Sequence, residues 1–349
     1  MDIIAALDLA IPIIQAPMAG VSTPDMAATV SNAGGLGSIA VGATDATGAQ
    51  AMIAAVRAQT DRPFNVNLFV HSPPRDDIAT ERAWLDALSP LFAQYGATPP
   101  ARLDTIYQSF AHDDAMLAML VATAPHVVSF HFGLPGPDRI AALKAAGCLL
   151  LASVTSPAEA RAAYAAGIDA IVAQGYEAGG HRGMFDPAAP DDLLGTFALT
   201  RLLVADGKQP VIAAGGIMDG AGVRAALDLG AVAAQLGTAF IACPESSADP
   251  AYRAALAGPA ALHTVMTPAL SGRPARCLAN RFTAWGEGQT GQVPDYPRAY
   301  HAGKALNAAA KARGEGGYGA QWAGQGAPLA RPLPAAVLIA TIAAEMKEA

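Results

Sequence analysis

A glycine-rich segment, VAQGYEAGGHRG at 172–183, places a histidine directly after an apolar run that has the composition of a strand. Glycines let main-chain N–H groups approach a ligand closely, and His181 brings an imidazole that titrates near neutral pH to the same place. These features together indicate a ligand site to which the backbone and a titratable imidazole both contribute. A tight turn with a solvated histidine is the alternative that this segment alone leaves open.

Side-chain amides interrupt three other apolar runs, at Asn67, Gln174 and Gln235. A buried amide without a hydrogen-bond partner costs about 1–3 kcal/mol, so these positions need partners. Three amides at strand ends indicate a planar ligand whose edge carries both donors and acceptors. The alternative is that each amide satisfies the backbone of a nearby loop.

A second histidine, His131 in the run SFHFG, also follows an apolar strand. Two histidines at neighbouring strand ends favour catalysis over a purely structural role. The chain has no HxH, HExxH or clustered carboxylates, so no metal is expected. Arg182, next to His181, could attract an anion, but we expect it at the surface.

Tyrosines and a lysine in the later part of the chain could line a small pocket. Tyr300 and Lys304 are four residues apart, so they share one face if their segment is helical. With Tyr107 and Tyr296 they would offer hydroxyl groups and one cation to an acidic substrate. An ordinary amphipathic helix with a surface lysine is the alternative.

Eight short apolar runs predict the strands that must position these residues. They are 11–16, 36–40, 64–69, 127–132, 148–154, 170–174, 210–214 and 231–236. Alanine-rich helical stretches separate most of them, and runs of this kind suit strands buried on both faces of a parallel sheet. Eight strand–helix units predict an α/β fold of the (β/α)₈ TIM-barrel class. An open Rossmann sheet is the alternative, but no GxGxxG follows the first strand.

In a TIM barrel, the loops after the last two strands commonly hold a phosphate group. Here those loops are AAGGI at 213–217 and the QLGT run at 235–238. Gly215, Gly216 and Gly237 would let backbone N–H groups reach such a group. Two tight turns without a ligand are the alternative.

Two stretches break the strand–helix rhythm, namely 71–104 and 243–309. Both are expected to form a small, mainly helical cap or substrate domain over the mouth of the barrel. The predicted barrel domain then comprises 1–70, 105–242 and 310–349.

Composition excludes several classes of protein. The net charge is −7 and the 22 lysines and arginines are scattered, which argues against a nucleic-acid partner. No run of 18 or more apolar residues predicts a membrane-spanning helix. The three cysteines are far apart and form no CxxC pair, so a reducing cytoplasm is expected.

Several of these motifs together resemble the nitronate monooxygenase family, formerly called 2-nitropropane dioxygenases. The resemblance lies in PIIQAPMAG, NVNLF, SFHFGLP, AQGYEAGGHRG, AAGGI and QLGTAF, and it extends over nearly the whole chain. The later DYPRAYHAGKALN and GAQWAGQGAPLAR are similar to class I members. The APMAG, EAGGH and glycine-loop motifs are also similar to those of flavin-dependent quinone reductases and enoyl-acyl-carrier-protein reductases.

The resemblance implies a bound FMN and assigns roles to residues. His181 would be catalytic, and the substrate pocket would be formed by Tyr107, His131, Tyr296, Tyr300 and Lys304. FMN would be bound by Ala16, Pro17, Met18, Ala19, Asn67, Gln174, Gly179, Gly180, Gly215, Gly216, Gln235, Leu236, Gly237 and Thr238.

The implied reaction is oxidation of alkyl nitronates, such as propionate 3-nitronate, by O₂ to a carbonyl product and nitrite. The alternatives are an FMN-dependent NAD(P)H:quinone reductase on the same fold and a flavin-binding protein without turnover. The protein is expected to be a monomer or a homodimer.

Overall fold

The central element of the computed structural model, which describes residues 3–348, is a parallel β-barrel. The strands are β1 (Ile13–Gln15), β2 (Gly37–Ala40), β3 (Phe64–Phe69), β4 (Val127–His131), β5 (Leu149–Val154), β6 (Ala170–Gln174), β7 (Gly180–His181), β8 (Val211–Ala214), β9 (Ala233–Leu236), β10 (Thr264–Thr267) and β11 (Ala275–Leu278). Eight of these pair in parallel in the order β1-β9-β8-β6-β5-β4-β3-β2. A bridge between Ile14 and Leu36 joins the two ends. The predicted (β/α)₈ barrel is confirmed.

Helices cover the barrel and are named in chain order. They are α1 (Ile3–Ala6), α2 (Pro24–Asn32), α3 (Ala46–Arg57), α4 (Ile78–Gln94), α5 (Asp114–Thr123), α6 (Pro137–Ala145), α7 (Pro157–Ala165), α8 (Thr196–Asp206), α9 (Gly220–Asp228), α10 (Thr238–Ile241), α11 (Pro250–Ala257), α12 (Arg281–Glu287), α13 (Arg298–Lys311) and α14 (Ala335–Glu348). The expected start signals cap them: Thr23, Ser156 and Asp219 each accept a backbone N–H in the first turn of α2, α7 and α9. No helix in the described range is long and apolar enough to cross a membrane.

The barrel is filled at the amino ends of its strands and open at the carboxyl ends. Ile14, Leu36, Leu151 and Ile212 belong to one buried apolar cluster from strands around the barrel. A larger cluster lies between the sheet and the surrounding helices. Apolar contacts on both sides explain why the strands are continuous apolar runs. A ligand site inside the barrel must therefore lie at the carboxyl end.

The two stretches that break the rhythm pack against each other. Trp84 and Leu88 of α4 share a buried cluster with Ala302 and Leu306 of α13. The 243–309 stretch also contains a strand pair that was not predicted, because β10 and β11 are antiparallel and β11 pairs with β7. The division into barrel and cap stays a prediction, and its residues 1, 2 and 349 lie outside the described range.

Candidate active site

A cavity of about 670 Å³ opens at the carboxyl ends of the barrel strands. This volume lies within the range of cofactor and substrate pockets, about 300–1,000 Å³. Its wall includes Ala16, Pro17, Met18, Ala19, Asn67, Tyr107, His131, Gln174, Gly179, Gly180, His181, Gly215, Gly216, Gln235, Gly237, Thr238, Tyr296, Tyr300 and Lys304. Of the expected site residues, only Leu236 is not in the wall, because its side chain is buried with Ile13 and Phe240.

His181 is held by a second sheet as well as by the barrel. It belongs to β7 and pairs with Ala275 of β11, so the hairpin of the 243–309 stretch positions the histidine. Its Nε2 atom lies 2.9 Å from the Ser271 hydroxyl. The ring centroid of Trp322 is 4.9 Å away and that of Tyr296 is 5.3 Å away. Aromatic packing and one hydrogen bond therefore restrict the orientation of the imidazole.

The backbone carbonyl of His181 is a second anchor of the site. It accepts a hydrogen bond from Gln174 Nε2 at 3.0 Å and lies 3.1 Å from His131 Nε2. The other end of the Gln174 amide accepts from the Gly183 N–H at 2.7 Å. Gln174 thus forms hydrogen bonds with the backbone of the nearby turn, which was the alternative to ligand binding for this residue.

The other two amides differ from Gln174. Asn67 donates to Ser129 Oγ on the neighbouring strand, at 2.9 Å. Gln235 lines the cavity and has no hydrogen-bond partner for its side chain within the described residues. Of the three side-chain amides, Gln235 is therefore the one whose carbonyl oxygen and NH₂ group are both available to bind a ligand.

Close backbone packing explains the residue types of the EAGGH turn. The Glu177 carboxylate accepts from the Thr196 N–H, at 2.8 Å and 3.0 Å from its two oxygens, and so caps helix α8. A Cβ atom on Gly179 would lie 2.5 Å from the nitrogen of Gly324. Glu177 thus joins the turn to α8, and Gly179 lets the turn pack closely against the backbone of Gly324.

Arg182 is not at the surface, so that expectation was wrong. Its side chain is 1% exposed and makes two hydrogen bonds to the Asp191 carboxylate, at 2.8 Å and 2.9 Å. It also donates to the Gln174 carbonyl. The glycine-rich turn around Arg182 does not reveal that a carboxylate nine residues later folds back onto the guanidinium, and this is why the sequence was misleading.

The glycine loops lie side by side because β8 and β9 are neighbours in the barrel. Gly215 and Gly216 have φ angles of +123° and +71°, which residues with side chains rarely adopt. Gly237 and Thr238 begin α10, and the Thr238 hydroxyl accepts from the Gly324 N–H at 3.0 Å. The loops present backbone to the cavity, as a phosphate site requires.

The tyrosines and the lysine line one side of the cavity, and Tyr300 and Lys304 share a face of α13, as their spacing predicted. Lys304 Nζ donates to the Tyr107 hydroxyl at 2.7 Å, and it lies 5.2 Å from the centre of that ring and 5.5 Å from that of Tyr300. Burial raises the pKa of Tyr296 and Tyr300, so their hydroxyls stay protonated at neutral pH. The wall offers neutral hydroxyl groups and one cation.

Three histidines near the cavity are uncharged at neutral pH. Burial is the main cause: it lowers the pKa of His71 and of His131 to about 4, and that of His181 well below 6.5. The charge of Arg273 also lowers each of these values. A neutral imidazole can accept a proton, whereas an imidazolium cannot.

Because these three histidines are neutral in the folded protein, we expect the free energy of unfolding to fall in mild acid. Because their folded pKa values lie below 6.5, their contribution is complete above pH 6.5 and is lost as the pH falls toward 4, where the unfolded chain takes up the protons. The free energy of unfolding should fall by about 1.4 kcal/mol per pH unit for each neutral histidine in this window. Urea titrations between pH 7 and pH 4.5 measure it.

His71→Gln serves as the comparison for that titration. It removes one of the titrating groups, so the slope in this pH window should become shallower whatever the variant does to stability at pH 7. A free energy of unfolding that stays constant from pH 7 to pH 5 in the unmodified protein would contradict the neutral-histidine interpretation.

Several residues near His181 were not identified from the sequence. Ser271 and Arg273 lie in the 243–309 stretch, where no strand was predicted. Phe132 has a φ angle of +76°, unusual for a bulky residue, and packs against His181 at 5.4 Å between ring centres. Phe132 and Trp322 were within quoted motifs, SFHFGLP and GAQWAGQGAPLAR, but those motifs did not show that either ring lies against His181.

Fold and site together define an enzyme of the (β/α)₈-barrel class, with a cavity at the catalytic end that has glycine loops on one side and a neutral histidine on the other. The model of the nitronate monooxygenase family matches residues 2–345, and the chain belongs to this family of flavin-dependent oxidoreductases.

Individual relatives support the same family assignment. The chain is 63% identical to a nitronate monooxygenase of Paraburkholderia phytofirmans, with 97% of this chain and 92% of the relative covered. It is 58% identical to one of Pseudomonas aeruginosa, with 96% of each covered. The crystal structure of nitroalkane oxidase from Streptomyces ansochromogenes is 41% identical with a TM-score of 0.91 and covers 100% of this chain and 98% of its own. FabK from Thermotoga maritima is 30% identical with a TM-score of 0.75, covering 99% and 96%.

Proposed function

We propose that this protein is an FMN-dependent enzyme that oxidises small alkyl nitronates with O₂ to a carbonyl product and nitrite, and that propionate 3-nitronate is a substrate. The observation that carries the proposal is the position of His181, which faces the same cavity as Lys304 and the glycine loops. A nitronate with a carboxylate tail needs a group for each of its two charged ends.

The cavity fits FMN in three respects. The loops at Gly215–Gly216 and Gly237–Thr238 present backbone where a phosphate can bind. The side-chain amide of Gln235, which has no partner in the described part of the chain, lines the cavity and would meet a polar ring edge. The segment 16–19 lies in the wall beside Gly237 and would pack against a flat ring.

Bound FMN supplies the electron-accepting chemistry of the reaction, and the protein supplies binding and orientation. Lys304, held by Tyr107, would bind the carboxylate of the substrate. The neutral imidazole of His181 would contact the nitronate end and could accept a proton from a neutral nitroalkane. The rings of Tyr296, Tyr300 and Trp322 pack around His181 and would limit the access of water.

The direct test is an assay of the FMN-loaded protein with propionate 3-nitronate and no NADH. Nitrite release together with O₂ consumption is the expected result, and the absence of both contradicts the proposal. An anaerobic arm with NADH tests the alternative, because rapid bleaching of the flavin by NADH would indicate a quinone reductase. A flavin that responds to neither compound would indicate a binding protein without turnover.

Lys304→Met is expected to raise KM for propionate 3-nitronate about 10-fold, because a hydrogen bond to a charged group contributes roughly 1.5 kcal/mol. Ethyl nitronate, which has no carboxylate, is the internal control, and its KM should not change. Steady-state oxygen consumption measures both. An equal rise in KM for the two nitronates would mean that Lys304 does not recognise the carboxylate.

A cytoplasmic location and a monomeric or homodimeric state stay predictions. The first rests on the spacing of the three cysteines, each of which is buried and unpaired. Size-exclusion chromatography with light scattering addresses the second.

A further inference from the structure

Arg273 is a buried cation without an acidic partner in the described part of the chain. The residue is 3% exposed, one of its nitrogens donates to the Met184 carbonyl, and its Nε atom has no hydrogen-bond partner among residues 3–348. Burial lowers its pKa only to about 10, so the guanidinium is charged at neutral pH. An unpaired buried charge is costly, which makes a purely stabilising role a poor explanation.

The guanidinium and three imidazoles surround the ring of Phe132. The guanidinium carbon is 4.4 Å from the ring centre. The ring centres of His131, His181 and His71 lie 4.6 Å, 5.4 Å and 6.4 Å from it. Phe132 adopts a positive φ angle of +76°, so the surrounding packing holds this ring in place against backbone strain.

Ser271 connects this cluster to the imidazole of His181. Its hydroxyl donates to the Arg273 carbonyl at 3.3 Å and lies 2.9 Å from His181 Nε2. A hydroxyl that gives its one proton to the Arg273 carbonyl can only accept from His181, and this arrangement places the proton of His181 on Nε2. The lone pair of the ring is then on Nδ1, the nitrogen that takes no part in this hydrogen bond.

We infer that Arg273 and Ser271 are positioning residues that keep His181 neutral with its proton on Nε2. Arg273 provides a fixed positive charge that disfavours a second charge on the imidazole, and Ser271 selects the tautomer. The inference rests on the proposed role of His181 in the site, and it adds which residues maintain the charge state and the tautomer of that histidine.

The other groups around His181 do not oppose this effect. His131, His71, Tyr296 and Tyr300 face it, and none of them is an acid that would favour an imidazolium. Glu159 and Asp186 are the acids that act on Arg273 and raise its pKa, but burial outweighs them.

The test is an NMR titration of ¹⁵N-labelled histidine side chains, with the His181 signals assigned through His181→Asn. This readout needs no turnover, so its failure is distinct from a failure of nitronate oxidation. In the unmodified protein, His181 should be neutral at pH 6 with its proton on Nε2. Arg273→Met should raise its titration midpoint by one pH unit or more, and Arg273→Lys should keep it low. Ser271→Ala should remove the preference for the Nε2 proton.

Arg276→Met is the matched control. Arg276 is a buried arginine three residues later that also has no carboxylate partner among the residues the structure describes, but its guanidinium lies over Tyr176, at 4.6 Å from the ring centre. It should leave the His181 midpoint unchanged. A folded Arg273→Met protein with an unchanged midpoint overturns the inference. If that variant does not fold, a charged His181 at pH 6, or a proton on Nδ1, in the unmodified protein overturns it equally.

Discussion

His181→Asn should reduce kcat/KM for a neutral nitroalkane by roughly 10²- to 10⁴-fold, the usual contribution of a positioned acid–base group, because the imidazole would take up the proton of that substrate. Asparagine keeps a polar group at β7 but has no imidazole nitrogen that can take up a proton. The backbone carbonyl of residue 181, which Gln174 and His131 contact, is retained in the variant. The shape of the cavity and the affinity for FMN should therefore change little.

Two measurements make this prediction decisive. The flavin absorption spectrum and the Kd for FMN should match those of the unmodified protein while nitrite release falls. His126→Asn is the matched control, because His126 is exposed at the amino end of β4, opposite the cavity. Loss of FMN from His181→Asn would assign this histidine a structural role, and near-normal turnover would exclude it from catalysis.

Arg182→Met should lower the free energy of unfolding by about 3–5 kcal/mol, the cost of removing one partner of a buried ion pair. Burial acts to raise the pKa of Asp191, but its hydrogen bonds with Arg182 and with the Leu193 N–H hold that pKa below the usual value. Without the guanidinium, a partly buried carboxylate loses its counter-charge. The Gln174 carbonyl also loses a donor.

Urea unfolding measures this effect as a shift of the midpoint, with the slope m unchanged. Arg224→Met is the control, because Arg224 and Asp228 form an exposed pair on one face of α9, and such pairs contribute about 1 kcal/mol or less. Adding Asp191→Asn to Arg182→Met should recover part of the loss, since no buried charge is then left unpaired. If Arg182→Met is no more harmful than Arg224→Met, the ion pair does not stabilise the site.

The barrel was predictable because its causes are local in the sequence. A strand buried on both faces must be apolar along its whole length, and a helix start needs a capping residue such as Thr23 or Ser156. Eight such strands at the observed spacing leave few arrangements other than a barrel. The grouping of cavity residues then follows, since the carboxyl ends of parallel strands meet at one face.

The environment of His181 was not predictable in the same way. Its hydrogen-bond partner Ser271 is 90 residues away and its stacking partner Trp322 is farther still. A two-residue strand such as β7 has no periodicity by which it could be recognised. Burial, which sets the pKa of His181, depends on every element that packs around the ring.

Composition and strand pattern were thus sufficient for the barrel, the glycine loops and the position of His181 at the mouth, because each follows from residue types within one short segment. Tertiary contacts settled the rest: that Arg182 is buried in an ion pair, that Gln174 holds backbone, and that Arg273 lies over the ring of Phe132. The physical reason is that charge state and hydrogen bonding depend on the three-dimensional surroundings of a side chain, and a single segment of sequence does not contain them.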